Sequence, residues 1–285
     1  MAVLFGTAGN PDIFLETVSK ASVDMPRWLS EIGLDAYEYQ CGNGVRIGEV
    51  TAKKIGDEAA RHKITMSVHA PYYISLSNPL YLEKNIKYVL DCCRVIRYMG
   101  GKRIILHSGS VGKVSREEAM NEARKTLKAI LSEMDNAGYG DLVLCPETMG
   151  KINQLGTLEE VLSLCSIDER LIPCIDFGHL YARSIGEMDG YKMFAGLFDR
   201  METVLGYERA STFHSHFSKI EYSKGGERRH LTFDQSEFGP DFEPIAWLVC
   251  ERNYTPVFIC ESAGTQSIDA LEMKRLYLNR CIEIQ

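Results

Sequence analysis

Eight side chains of metal-ligand type come at or just after the ends of regularly spaced apolar runs. They are His69, His107, Glu147, Asp176, His179, His214, His230 and Glu261. Imidazole nitrogen and carboxylate oxygen bind zinc, manganese and iron at about 2.0–2.2 Å, and a carboxylate can also bridge two ions. The set is large enough for two or three ions, with positions left for water and substrate. Two ions about 3.5–4 Å apart can stabilise both the attacking and the leaving oxygen of a phosphoester displacement.

A single histidine or acid at the end of a strand is more often a structural residue than a ligand. The joint pattern is harder to explain in that way, because five of the seven histidines belong to the set. His62 lies in a polar helix tail and is expected at the surface. His216 shares a strand face with His214, and a role as ligand, as substrate contact or in packing stays open from the pattern alone.

The elements that must position these residues are eight apolar runs separated by helical patterns. The runs are Val3–Gly6, Ala36–Cys41, Thr65–His69, Arg103–His107, Leu142–Pro146, Ile172–Asp176, Ser211–Phe217 and Pro256–Glu261. This alternation predicts one (β/α)8 TIM barrel that forms a single domain over residues 1–285. Such barrels carry their chemistry at the C-terminal ends of the strands. A doubly wound open sheet is the alternative, but the first run is followed by no glycine-rich phosphate loop.

The intervening segments carry helix signals. Apolar residues recur at helical spacing in Glu83–Tyr98 and Arg116–Asn136. Two capping boxes, Ser115 with Glu118 and Thr157 with Glu160, mark helix starts. The longest irregular segment is Ser218–Pro240, which follows the seventh run. A loop of this length in a compact domain is usually functional or disordered.

The bulk composition is that of an ordinary globular protein, with 45% hydrophobic and 25% charged residues. A net charge of −7 argues against a generally basic nucleic-acid binder. It does not exclude one, since bound cations can supply the positive field of a site. Nine cysteines without a CxxC pair favour reduced, buried thiols and a cytoplasmic location. Neither a signal peptide nor a membrane span is expected.

With these motifs in this order, the chain resembles the endonuclease IV family, within the xylose-isomerase-like barrel superfamily, over nearly its whole length. The motifs are SVHAPYY, ILHSG, LCPETMG, CIDFGH, FHSH and FICESAG. The resemblance implies a monomeric, zinc-dependent hydrolase of DNA repair, which cleaves the phosphodiester 5′ to an abasic site. Manganese or iron could replace zinc.

The resemblance also implies how the ligands are shared. His69, His107 and Glu147 would hold a first ion. Glu147 would bridge to a second, which Asp176, His214 and Glu261 complete, and His179 and His230 would hold a third. Glu261 would orient the attacking nucleophile, so that Glu261 and Glu147 are the expected catalytic residues.

The third site departs from the family pattern, which carries Asp-x-His. Here the residue two before His230 is Arg228, and Glu227 is the nearest carboxylate. The third ion could lack one ligand, take Glu227, or be replaced by an arginine.

Substrate contacts are expected from two places. Tyr72 matches a family tyrosine near DNA, although it could simply pack at the barrel rim. The basic residues around the long loop suit phosphates, although a charge run of this kind is often only solvated. The expected contacts are Tyr72, His216, Lys219, Arg228 and Arg229.

Two other functions remain open at this point. Four of the residues alone resemble the metal-ligand set of the superfamily's single-metal sugar isomerases and epimerases. They are Glu147, Asp176, His214 and Glu261. Such an enzyme would use Glu147 and Glu261 to move a proton beside a carbonyl. The additional histidines favour the nuclease, because an epimerase does not need three ions. A non-enzymatic, metal-stabilised binding protein is the third possibility.

Overall fold

Ten strands form in the computed structural model, which describes residues 2–284. Eight of them are parallel and belong to one sheet: β1 Leu4–Ala8, β2 Ala36–Gln40, β3 Thr65–His69, β4 Arg103–Leu106, β5 Val143–Pro146, β6 Cys174–Asp176, β7 His214–Phe217 and β10 Val257–Cys260. The other two, β8 Lys219–Ser223 and β9 Gly226–Leu231, pair antiparallel as a hairpin.

The eight parallel strands follow the order β5-β4-β3-β2-β1-β10-β7-β6. The two end strands meet through parallel bridges between Leu144 and Leu171 and between Glu147 and Cys174. The barrel is therefore nearly closed, and the predicted (β/α)8 TIM-barrel fold is confirmed. Strands β1 and β2 pack closely at Gly6, where an added Cβ would lie 2.0 Å from the Ala36 carbonyl oxygen. Only glycine fits at that point of the β1–β2 pair.

Helices surround the barrel. They are α1 Asp12–Thr17, α2 Met25–Ile32, α3 Glu49–His62, α4 Leu82–Tyr98, α5 Arg116–Asn136, α6 Leu158–Cys165, α7 Phe177–Arg183, α8 Gly190–Leu205, α9 Tyr207–Ser211, α10 Glu243–Glu251 and α11 Gln266–Ile284. Both predicted capping boxes form, at the starts of α5 and α6. The main apolar core lies between the helices and the outer faces of the strands, with Phe177, Phe213 and Phe258 fully buried in it.

Two expectations are wrong. The segment Ser218–Pro240 is not irregular, because it contains the β8–β9 hairpin, which packs on α7. Cys250 and Cys281 form a disulfide between α10 and α11, although all cysteines were expected to be reduced. The other seven cysteines, all within the described residues, are free thiols and buried. Among residues 2–284, no helix is both long and apolar enough to span a membrane.

Candidate metal centre

A pocket of about 330 Å³ opens at the C-terminal end of the barrel. Eight of the residues singled out in the sequence line it: His69, Tyr72, His107, Glu147, His179, Glu227, His230 and Glu261. They reach it from four barrel strands or the residues just after them, from α7 and from the hairpin. Parallel strands end at one edge, and that edge collects side chains which are far apart in the sequence.

The first group of donors is His69, His107 and Glu147, in which one carboxylate oxygen faces two imidazoles. Glu147 Oε2 lies 3.3 Å from His69 Nε2 and 3.1 Å from His107 Nε2. His69 Nδ1 lies 2.7 Å from the Ala70 carbonyl oxygen and must donate to it. In the neutral ring Nε2 therefore has no proton and carries a lone pair. A lone pair that faces a carboxylate is repulsive unless a proton or a metal ion lies between them.

The central group is Glu147, Asp176, His216 and Glu261, whose ligand atoms lie within 4.8 Å of one another. His216 Nδ1 is 3.3 Å from Glu147 Oε1 and 3.5 Å from Glu261 Oε1. Asp176 caps α7, since its Oδ1 accepts from the backbone N–H of His179 at 2.6 Å. Its Oδ2 is buried and makes no hydrogen bond to any residue that the structure describes, and its ion-pair contact is His179 Nδ1 at 3.3 Å, an N–H that already donates to the Thr148 carbonyl oxygen. A buried carboxylate oxygen without a donor is costly, and a cation in this group would satisfy it.

His216 takes the place in this group that the sequence analysis expected for His214. His214 comes two residues earlier on β7, which puts it roughly 6.6 Å deeper in the barrel. Its Nε2 lies 2.9 Å from Glu38 Oε2, and it approaches Cys174 rather than the acids of the pocket. His216 is also fully buried, so it cannot be the substrate contact that was expected.

The hairpin supplies a third group, His179, Glu227 and His230. His179 Nε2 lies 3.4 Å from Glu227 Oε2, and His179 Nδ1 donates to the Thr148 carbonyl oxygen at 2.9 Å. His230 Nδ1 is 2.8 Å from Ser218 Oγ. Of the three outcomes left open by the sequence, the geometry brings Glu227 to the position beside His230.

A β-bulge explains how Glu227 and His230 reach one pocket. Side chains alternate along a strand, so residues three apart would normally point to opposite faces. Here Ile220 pairs with His230 and Tyr222 pairs with Glu227, while the register shifts between Glu221 and Tyr222. Arg228 is the extra residue that the shift absorbs, which is what a bulge does.

The basic residues expected at the substrate do not line the metal pocket. The guanidinium groups of Arg228 and Arg229 both donate to Glu221 at 2.7 Å, with 62% and 68% of their side chains exposed. Lys219 lies 3.3 Å from the Gln235 carbonyl oxygen and lines a different pocket. Tyr72 does line the metal pocket, and its hydroxyl donates to Asn43 Oδ1 at 3.2 Å.

Sequence reasoning missed two contributors, Glu38 and Lys151. Glu38 is fully buried on β2 and hydrogen-bonds to His214 and His216. An acid in the middle of an apolar run, in the sequence Ala-Tyr-Glu-Tyr-Gln, was the available signal. Lys151 lines the pocket from the loop after β5, and its sequence context carries no comparable signal.

Most of the buried groups stabilise one another's charged forms, but burial together with the carboxylates of Glu261 and Glu147 raises the pKa of Asp176. Burial raises the pKa of Glu147, but His216 and His107 outweigh it and hold this pKa well below its usual range. Burial lowers the pKa of His69, but Glu147 outweighs it and raises this pKa to about 9. Burial likewise opposes the charged form of His216, whose pKa the surrounding thiol and carboxylates nevertheless raise well above normal. Positive charge is therefore favoured where the carboxylates converge, and the nitrogen and oxygen donors fit divalent transition-metal ions.

The chain is similar to known proteins in sequence and in fold. The sequence profile of the family described as xylose isomerase-like TIM barrel matches residues 26–277. An uncharacterized protein of Methanocaldococcus jannaschii is 36% identical over 259 residues, which are 87% of this chain and 91% of the relative. A protein of Mycoplasmopsis synoviae named probable endonuclease 4 is 28% identical over 191 residues, 66% of this chain and 65% of its own length.

Solved structures confirm the fold. Endonuclease IV from Thermus thermophilus superposes with a TM-score of 0.68 at 18% identity, over 97% of this chain and 99% of that chain. A D-tagatose 3-epimerase-like protein superposes with a TM-score of 0.73 at 17% identity, over 99% of both chains. The barrel is thus similar to those of a nuclease and of an epimerase-like protein, and the choice between activities depends on the donors.

Proposed function

The chain belongs to the xylose isomerase-like TIM barrel family, and we propose that within this family it is a zinc-dependent phosphodiesterase that cleaves DNA 5′ to abasic sites. The observation that carries this proposal is the third donor group on the hairpin, His179, Glu227 and His230. A phosphodiester displacement uses cations at both the attacking and the leaving oxygen, and three adjacent donor groups provide for that. Relatives named probable endonuclease 4 support the same choice.

The three groups divide the ligands. We assign the first ion to His69, His107 and Glu147, the second to Glu147, Asp176, His216 and Glu261, and the third to His179, Glu227 and His230. When bound, such ions supply positive charge to the reacting oxygens of a phosphodiester. The first and second groups share Glu147, which is buried between them.

Glu261 is the residue that we assign to orient the attacking water and to accept its proton. It follows β10 directly and lies between two donor groups, with Oε1 3.5 Å from His216 Nδ1 and Oε2 4.0 Å from His230 Nδ1. It also lines the open pocket. A carboxylate so placed can take a proton from a water that is lined up for attack.

Tyr72 and Lys151 are the substrate contacts that we assign. Tyr72 is 58% exposed at the mouth of the pocket, where an aromatic ring can stack beside a base. Lys151 can reach a phosphate from the loop after β5, and hydrogen bonds hold this loop in place. Arg183 donates to the carbonyl oxygens of Met149 and Lys151 at 3.1 and 2.7 Å, and Lys151 also bridges to Gly226 of the hairpin.

A sugar isomerase or epimerase is the second candidate. The central group alone, Glu147, Asp176, His216 and Glu261, offers the four donors of a single ion. Such an enzyme would have no use for His179, Glu227 and His230, which is why the phosphodiesterase is preferred.

The test is cleavage of a duplex oligonucleotide that carries one abasic analogue, beside an epimerisation assay on ketoses with the same zinc-loaded protein. We expect incision 5′ to the lesion that disappears in Glu261→Gln and weakens as salt rises. Glu237→Gln, a change of the same kind outside the metal pocket, serves as the control. Ketose turnover without incision would replace the proposal with the epimerase.

A further inference from the structure

A buried carboxylate lies directly beneath the central group. Glu38 Oε1 is 2.9 Å from His216 Nε2 and 3.2 Å from Gln40 Nε2. Glu38 Oε2 is 2.9 Å from His214 Nε2 and 2.9 Å from Ser67 Oγ. Glu38, His214 and His216 are all 0% exposed. A single carboxylate thus links two histidines of β7 to β2 and β3.

All four neighbours of Glu38 must act as donors. An ionised carboxylate has two acceptor oxygens with about four lone-pair sites and no proton to give. Both imidazoles therefore carry their N–H at Nε2, and each neutral ring has a lone pair at Nδ1. In His216 this is the atom that faces Glu147 and Glu261. The hydrogen bond to Glu38 fixes which nitrogen of His216 is presented to the central group.

His214 differs from His216 at that same atom. Its Nδ1 is buried without a hydrogen-bond partner among residues 2–284. Its polar contact is the bond from Nε2 to Glu38, opposite the one from His216. His214 thus holds Glu38 from the second side, which gives the His-x-His pair of β7 two different tasks.

We propose that Glu38 is a positioning residue for metal binding, which locks His216 in the Nε2-protonated tautomer and aims its Nδ1 at the central ion. His214 is the second anchor of Glu38 and not a ligand. The inference rests on the proposed function only for the presence of the ion. Carboxylates that hold the far nitrogen of a ligating histidine typically change metal affinity about 10–100-fold when they are replaced.

The test compares three variants. Glu38→Gln keeps the shape but places an amide NH2 against N–H donors, so that one imidazole must turn or change tautomer. Ser67→Ala is the matched control, since it removes one donor to Glu38 and leaves both imidazole bonds. His214→Asn removes the second anchor and leaves the bond from Glu38 to His216.

Zinc affinity is measured by competition with a chromophoric chelator. The tautomer of His216 is measured by ¹⁵N NMR of the metal-free, full-length protein on the alkaline side of the His216 titration, where the ring is neutral. The His216 signal is assigned with His216→Gln. We expect Glu38→Gln to weaken one zinc site about 10–100-fold and to shift the His216 tautomer. His214→Asn should weaken the site less, and Ser67→Ala should leave it unchanged.

An unchanged tautomer and unchanged affinity in Glu38→Gln would overturn the proposal. So would an equal loss of affinity in Ser67→Ala, because it would point to general core damage. If Glu38→Gln does not fold, His214→Asn is compared with Asp176→Asn, which removes an assigned ligand. An equal loss of zinc in the two variants would contradict the proposal, because it would make His214 a ligand as well. A wild-type protein that binds no zinc would refute the proposed function, while the tautomer measurement would still decide the role of Glu38.

Discussion

The central group and the hairpin group contain similar donors, but the chain holds them in different ways. Three of the four central donors, Glu147, Asp176 and His216, are at most 1% exposed. The fourth, Glu261, is 16% exposed, and all four lie on barrel strands or directly after them. Glu227 and His230 come from a two-stranded hairpin, and their side chains are 14% and 27% exposed. Parallel pairing within the barrel fixes the central donors, whereas a two-stranded hairpin with a register shift fixes Glu227 and His230.

This contrast separates two kinds of site construction. A donor at the end of a barrel strand is positioned by the fold itself, so it is held in place wherever the barrel forms. A hairpin donor depends on local pairing, which can gain or lose a residue without harm to the barrel. We therefore expect the central group to bind its ion more tightly and to matter more for the reaction.

The largest effect is expected at the residue that lies between the two groups. Glu261→Gln should lower the cleavage rate on the order of 10³-fold, because it removes the carboxylate that accepts the proton of the water. Circular dichroism and thermal unfolding should match the wild type. Near-normal turnover would remove Glu261 from the mechanism.

A direct comparison of the groups comes from Asp176→Asn and Glu227→Gln. Asp176→Asn should lose the central ion and lower the activity at least about 100-fold, because Oδ2 is the buried oxygen that we assign to the cation. Glu227→Gln should lose the hairpin ion and lower the cleavage activity roughly 10-fold. Metal analysis and single-turnover cleavage check both. A larger loss of activity in Glu227→Gln than in Asp176→Asn would contradict the proposed difference between strand-end donors and hairpin donors.

The pH response of the metal-free protein tests the charge of the first group. The pKa of His69 is raised to about 9 against 6.5 for an ordinary histidine, so its contribution to stability is full below pH 6.5 and is lost as pH rises through about 9. The Tm should therefore fall by a few degrees between pH 6.5 and 8. His69→Asn should flatten this trend. Zinc should reverse it, since the ion binds the unprotonated ring. A pH-independent Tm in the metal-free protein would contradict the geometry of this group.

The smallest effects are expected at Arg228. Its side chain is 62% exposed and pairs with Glu221, so Arg228→Asp should leave the zinc content unchanged. Deletion of Arg228 should also preserve the hairpin ion, because Glu227 and His230 would then be two apart on a regular strand. Zinc stoichiometry measures both variants. Loss of one ion in the deletion would show that the bulge does more than absorb an extra residue.

Much of the barrel follows from the sequence, and the reasons are local. Each apolar run is short and bounded, and Thr65–His69 and Arg116–Asn136 were predicted with the bounds that the structure has. Strand-end donors could be identified because a parallel barrel gathers them at one edge. The disulfide could not, since the approach of Cys250 to Cys281 depends on how α10 packs on α11.

The site was less predictable where the position of a donor depends on its depth in the barrel or on the register of the hairpin. His214 and His216 share a face, and sequence alternation cannot tell which one reaches the pocket. Glu227 could not be chosen over Arg228 because a bulge is not visible in Gly-Glu-Arg-Arg-His. The basic loop is expected to meet substrate, and in the structure the side chains of Arg228 and Arg229 donate to Glu221 and do not line the metal pocket.

The central claim is that three donor groups, and not one, hold ions. Anomalous diffraction at the zinc edge, from a crystal of zinc-loaded protein, tests this claim most directly. We predict separate peaks beside His69 and His107, between Asp176 and His216, and between His179 and His230, with the highest occupancy in the central group. A single peak in the central group, with the hairpin site empty at saturating zinc, would contradict the claim and favour a single-metal isomerase or epimerase.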